Sequence, residues 1–158
     1  MHKLTTACLA ALMTMMPAAS VLAHHSLANY DTTTPVRVKG TIVRLHLINP
    51  HSILYLEELA ADGAIRRWAV EGPAVPQLAR RGFATDALKP GDVVEACGYL
   101  PKERTIWQVA NPDGGASLAG RLLNGEMLVM ADGHQESWGD YGVHKCFGPD
   151  FRDQHSKP

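Results

Sequence analysis

The alternation Val36-Arg37-Val38-Lys39, followed by a change of phase after Gly40, constrains this chain more than any other stretch. Period two puts Val36 and Val38 on one face of a strand and Arg37 and Lys39 on the other. Beyond Gly40 the apolar set becomes Val43, Leu45 and Leu47, one residue out of step. A slip of that kind inside a strand is what a bulge produces, and glycine is a natural place for one. The expectation is one long, bent strand, ended by Asn49-Pro50.

The punctuation that follows gives the order of elements. Ser52 to Glu57 reads as a second strand with Leu54 and Leu56 on one face, and Asp62-Gly63 as a hairpin turn. Ile65 to Glu71, with Trp68 and Val70, is the third strand. After Gly72-Pro73 the period changes. Val75, Leu78, Ala79 and Gly82 fall at i, i+3, i+4 and i+7, the face of a short helix, with Pro73 and Pro76 near its start and Gly82 at its end. Lys89-Pro90-Gly91-Asp92 turns into a fourth strand, Val93 to Leu100. The last extended section is Ile106 to Ala110 and then Leu122 to Val129, with Asn124-Gly125 read as its turn. Three strands, a short helix and two or more strands is the order of an OB-fold, a small five-stranded barrel with the helix between strands three and four. An unrelated β-sandwich or roll is the alternative. Residues 134–158 show no period and are expected to form an irregular tail after a barrel domain at 24–133.

Ahead of the barrel, residues 1–23 have the three parts of a secretory signal peptide. Lys3 is the positive start, Leu4 to Met16 an uncharged and mostly apolar run, and Val21 and Ala23 the small residues before the cut. The run is well short of the ~20 residues that span a bilayer. Cys8 lies inside it, not at its end, which argues against a lipid-modified terminus. The expectation is export, cleavage after Ala23 and a periplasmic chain with no membrane span. Cleavage leaves 14 basic side chains (15 less Lys3) against 16 acidic ones. That balance offers no footprint for nucleic acid. It also leaves Cys97 and Cys146 as an even pair in an oxidising compartment, expected as a disulfide, with a metal-binding pair as the alternative. Such a bridge closes a loop of about 50 residues, worth roughly 4 kcal/mol in the chain-entropy model.

Candidate chemistry centres on the cut. A chain starting at His24 offers an α-amino group and ring Nδ1 to one ion in a six-membered chelate ring. Such nitrogens suit copper best, then zinc and nickel. His25 is a further donor, and His51, in the loop after the first strand, presents another side chain at the strand end. His24, His25 and His51 are therefore the candidate metal ligands, set against the plainer reading of a solvated polar terminus. His46 is expected to point away from the core beside Arg44, and His134, His144 and His155 in the tail are weaker candidates. No compact motif such as His-x-x-x-His or Cys-x-x-Cys occurs. There is no Gly-x-Ser-x-Gly and no glycine-rich phosphate loop, so no catalytic residue and no organic-cofactor site is assigned. Glu57, Glu58 and Glu71 are read as solvated edge residues, Arg66-Arg67 and Arg80-Arg81 as exposed faces, and Trp68 as core. Trp107, Trp138 and Tyr141 are read as lining a ligand groove or anchoring the tail.

Five motifs in order resemble an exported bacterial family, domain of unknown function 6152. They are His24-His25-Ser26, Asn49-Pro50-His51, Trp68 to Glu71, Arg81-Gly82 and Lys89 to Asp92, within about Ala23 to Gly133. The resemblance implies periplasmic export and a small β-barrel, and carries no reaction. Among the histidines it singles out 24, 25 and 51. Relatives commonly carry an aromatic where Leu27 stands, and tryptophans near Leu47 and at Ile53, so an aromatic-lined site is not expected here. The tail after Gly133, with Cys146, lies outside the resemblance.

Two functions remain open on this reading: a periplasmic module binding copper or zinc through His24, His25 and His51, or a non-metal module for a small ligand or another periplasmic protein. A histidine-braced copper redox enzyme is a more remote third. The intact mass of the protein recovered from the periplasm tests the common premise. It is expected to match a chain beginning at His24, lighter by the two hydrogens lost in the Cys97–Cys146 bridge.

Overall fold

The computed structural model of the chain describes residues 27–84, 86–103, 110–118, 121–139 and 145–146. After a 3-10 turn at Leu27–Asn29 come β1 (Val36–His46), β2 (Ser52–Leu59), β3 (Ile65–Gly72), α1 (Val75–Arg80), β4 (Val93–Tyr99), β5 (Leu122–Val129) and β6 (Gln135–Ser137). The hydrogen-bonded order is β3-β2-β1-β4-β5-β6, and an additional β3–β5 pairing closes the first five strands into an OB-like barrel. The closing pair is parallel and short, with Ala69, Val70 and Glu71 opposite Leu122, Leu123 and Asn124. The helix caps the barrel through Leu78 and is stopped by Gly82, at φ +77°. No helix among the described residues is long and apolar enough to cross a membrane.

β1 is the long bent strand its pattern announces, paired with β4 at one end and β2 at the other. The bulge, however, falls later than Gly40. Ile42 pairs with Leu56 and Arg44 with Tyr55, so Val43 is the extra residue. Ile42 faces the main core, Val43 turns to a smaller cluster with Tyr55, and Leu45 returns to the main core. Gly40 serves a different need. A Cβ there would lie 2.6 Å from the carbonyl oxygen of Glu57, so the strands could not approach so closely with a side chain present.

Asn124-Gly125 is not a turn. Both residues lie inside β5, which runs unbroken because β3 and β4 flank it and supply its backbone partners. Gly125 makes room for Trp138, since a Cβ there would sit 2.6 Å from the indole Cδ1. Trp138 is fully buried in the main core and meets Phe83 edge-on, with ring centroids 5.4 Å apart. Beyond Gly133, therefore, the chain first adds β6 along β5 and drives Trp138 into the barrel. Cys146 then bonds Cys97 on β4, both fully buried, with Sγ–Sγ 2.08 Å. Of the extended run expected at Ile106 to Ala110, residues 106–109 lie outside the described residues, as does the tail after 146.

Gly72 faces the same indole, and a Cβ at that position would overlap Trp138 Nε1 and Cε2. Gly72→Ala is expected to cost about 1–3 kcal/mol, the usual range for overpacking. Urea unfolding measures the loss, and a red shift of tryptophan emission marks displacement of the ring.

Candidate functional site

The loop from β1 to β2 delivers His51 to the end of the barrel near its seam. It passes through a cis Asn49–Pro50 bond, and the next residue, Ser52, donates its backbone N–H to the Pro73 carbonyl. His51 is half-buried, and its Nδ1 lies 3.0 Å from Glu71 Oε1. Glu71 stands near the end of β3, opposite Ile53 of β2 on one side and Asn124 of β5 on the other. Tyr30, 2 % exposed, donates its hydroxyl to the second carboxylate oxygen, Oε2, at 2.8 Å. Glu71 itself is only 7 % exposed. The expectation of a solvated edge carboxylate is overturned for this residue: it is buried and joins two side chains from different parts of the chain.

Tyr30 is held by its own backbone. It bridges to Pro101, the Asp31 N–H donates to the Leu100 carbonyl, and the Lys102 N–H donates to the Asn29 carbonyl. Lys102 Nζ adds a bond to the Ala28 carbonyl. From the other side, Lys145, next to the disulfide, donates to the carbonyls of Thr32 and Thr33. Hydrogen bonds from the Thr33 hydroxyl and N–H hold the Asp31 carboxyl below its usual range. The segment 28–33 is thus laced to the end of β4 and to the cysteine-bearing turn.

The remaining candidates fall elsewhere. His46 points away from the main core that Leu45 meets; it is half-buried and packs edge-on against Tyr55 of the smaller cluster, with centroids 5.5 Å apart. His134 sits on the β5–β6 turn with Nε2 2.8 Å from Glu136 Oε1, an exposed local pair. His24, His25, His144 and His155 lie outside the described residues. Among the described residues no group of three or more His, Cys, Asp or Glu is arranged to hold a metal ion. His51 with Glu71 is therefore part of a site at most, needing donors from elsewhere.

Arg66 and Arg80 are exposed as expected, but other charges expected on solvated faces are structural. Arg67 joins Glu57, Asp113 and Asn111, drawing the loop at 111–113 onto the barrel, and its carboxylate partners raise its affinity for its proton. Trp68 Nε1 donates to Glu58, so the indole is half-buried and not wholly core. Arg81 binds the Gly139 carbonyl. Glu126, 1 % exposed, was not singled out by any motif. Its neighbour Tyr99 is fully buried, and its hydroxyl has no hydrogen-bond partner among the described residues.

The chain matches the model of a family of unknown function (DUF6152) over residues 11–110. It belongs to that family. The DUF6152 span takes in His24, His25, Tyr30, His51 and Glu71, and stops before β5, Trp138 and Cys146. No curated protein and no solved structure matches the chain. What DUF6152 membership adds is therefore the stretch of chain that carries the His51–Glu71–Tyr30 chain of contacts, without an activity.

Burial pushes the Tyr99 hydroxyl above its ordinary value, and the Glu126 charge adds to the shift. The unfolded chain releases this proton near pH 10 while the folded chain keeps it. This contribution to stability is therefore full below about pH 10 and is lost as pH rises through the higher folded value. Thermal unfolding followed from pH 8 to pH 11 is expected to show Tm falling above pH 10, and falling less in Tyr99→Phe.

Proposed function

We propose that this protein is a periplasmic binding module that holds one copper or zinc ion through His24 (α-amino group and Nδ1), His25 and His51. The observation that carries the reading is the single carboxylate of Glu71 shared between His51 and Tyr30. Histidines that bind metals characteristically give their second ring nitrogen to a carboxylate, which sets the ring's orientation and strengthens the donor. Tyr30 supports the other half of the reading. His24 and His25 precede it by at most six residues, so covalent geometry keeps them within about 20 Å of a residue that touches Glu71. A chain start on so short a tether has a high effective concentration at His51. Amine and imidazole nitrogens favour copper over zinc. The role is holding or passing on the ion, because nothing in the sequence assigns a nucleophile or an acid–base pair.

A specific observation also favours the second reading, a module that docks a protein or small ligand without metal. Leu59, Ile65 and Val93 are large apolar side chains left exposed beside Lys39, Gly40, Thr41 and Glu57. Native mass measurement of the periplasmic protein, with copper and then zinc added in equimolar amounts, separates the two. One copper retained by the wild type, and lost from a normally folded His51→Ala, is the expected result. A chain that stays metal-free with both ions, or that begins at a residue other than His24, rejects the metal reading in favour of the second.

A further inference from the structure

We propose that the outer wall of the barrel, where β1 and β2 part, is the surface on which two copies of this chain pair. The two strands are paired from Thr41 and Glu57 to His46 and Ile53. In the other direction they separate: β1 continues along β4 toward Val36, and β2 continues along β3 to Leu59. A cleft of about 480 Å3 opens there, lined by Lys39 and Thr41 of β1, Glu57 and Leu59 of β2, Ile65 of β3 and Val93 of β4. Four large apolar side chains are left exposed among the described residues, and three of them stand here: Leu59 at 71 %, Ile65 at 62 % and Val93 at 40 %. His51 lies just before the opposite end of β2, so this surface is separate from the candidate metal site and its pairing needs no metal.

Three observations select a second copy as the occupant. First, the patch holds both halves of a fit. Leu59 and Ile65 face each other at the end of the β2–β3 hairpin, and the cleft beside them is a recess that a like hairpin end can enter. Second, the charges complement themselves. Lys39 is exposed and makes no hydrogen bond or ion pair among the described residues. On the facing wall the guanidinium of Arg67 serves two carboxylates, Glu57 and Asp113, which leaves that wall with an excess negative charge. A two-fold axis through the cleft sets Lys39 of each copy against Glu57 of the other, and the apolar side chains against one another. Third, the walls are too open for a small molecule, because Leu59 and Ile65 stand mostly in water and small-ligand pockets enclose most of the ligand. A net charge of −1 over the whole sequence leaves little repulsion between copies. Seven residues, Gly40 included, line the cleft, against roughly 20–30 a side in a stable interface. The pairing is therefore weak and reversible, with a Kd on the order of 0.1 mM.

Sedimentation equilibrium and amide spectra of the metal-free protein, from about 20 µM to about 1 mM, test this independently of the metal reading. The expected result is a monomer at the low end and a dimer at the high end, with concentration-dependent shifts at Lys39 to Thr41, Glu57 to Leu59, Ile65 and Val93. Leu59→Asp, at an exposed strand end, is expected to keep the fold and to weaken pairing about tenfold or more. Lys39→Glu is expected to weaken it about threefold or more, and to abolish the loss of pairing that added salt causes in the wild type. A wild type that stays monomeric at about 1 mM overturns the proposal and leaves the patch to a different partner. A dimer whose shifts map elsewhere overturns it, as does one that a folded Leu59→Asp leaves unweakened. Should Leu59→Asp not fold, the wild-type shift map alone decides.

Discussion

The short parallel ladder between β3 and β5 is the constraint on which the rest of the molecule depends. Three residues on each strand make it, yet it converts an open sheet into a barrel and removes the free edges β3 and β5 would otherwise expose there. Glu71 is one of the residues in that ladder, so the carboxylate shared by His51 and Tyr30 inherits the rigidity of the seam. Gly72, next in the chain, turns to the opposite side of the barrel wall, where it admits the indole of Trp138. One dipeptide thus serves two purposes. Its first residue organises polar contacts at the barrel end, and its second lets the core close.

Much of the fold was legible because most strands obey period two and are separated by strong turn residues. The long first strand, the Asp62-Gly63 and Lys89–Asp92 turns, the helix ended by Gly82 and the Cys97–Cys146 pair all follow from local chemistry. Misreadings arose where tertiary contacts overrule a local signal. Asn124-Gly125 has the composition of a turn, but β3 and β4 flank it on both sides. Gly40 marks an interstrand contact with Glu57, and the bulge falls at Val43, where no special residue announces it.

The candidate site was legible only in its histidine. His51 stands out as a loop residue after Asn-Pro, and its placement at the barrel end agrees with that. Glu71 did not stand out, because an acidic residue near the end of a strand is ordinarily solvated. Its hydrogen-bond partner Tyr30 lies 41 residues earlier, and no local pattern encodes that pairing. The Trp-x-x-Glu spacing of the family motif was the available hint. Glu126 and Tyr99 were missed for the same reason: their burial comes from contacts between segments that are distant along the chain.

The position of β5 has a further consequence for how the barrel comes into being. Synthesis proceeds from the N-terminus, and β5 is the last of the five barrel strands, separated from β4 by more than twenty residues. Until Leu122 to Val129 have emerged, β3 and β4 each lack a neighbour, and Trp138 has not arrived to fill the space beside Gly72. A chain that lacks β5 leaves two strands each short of a partner, and unpaired strand edges are open to mispairing. Barrel closure is therefore a long-range event that depends on the last of the five strands.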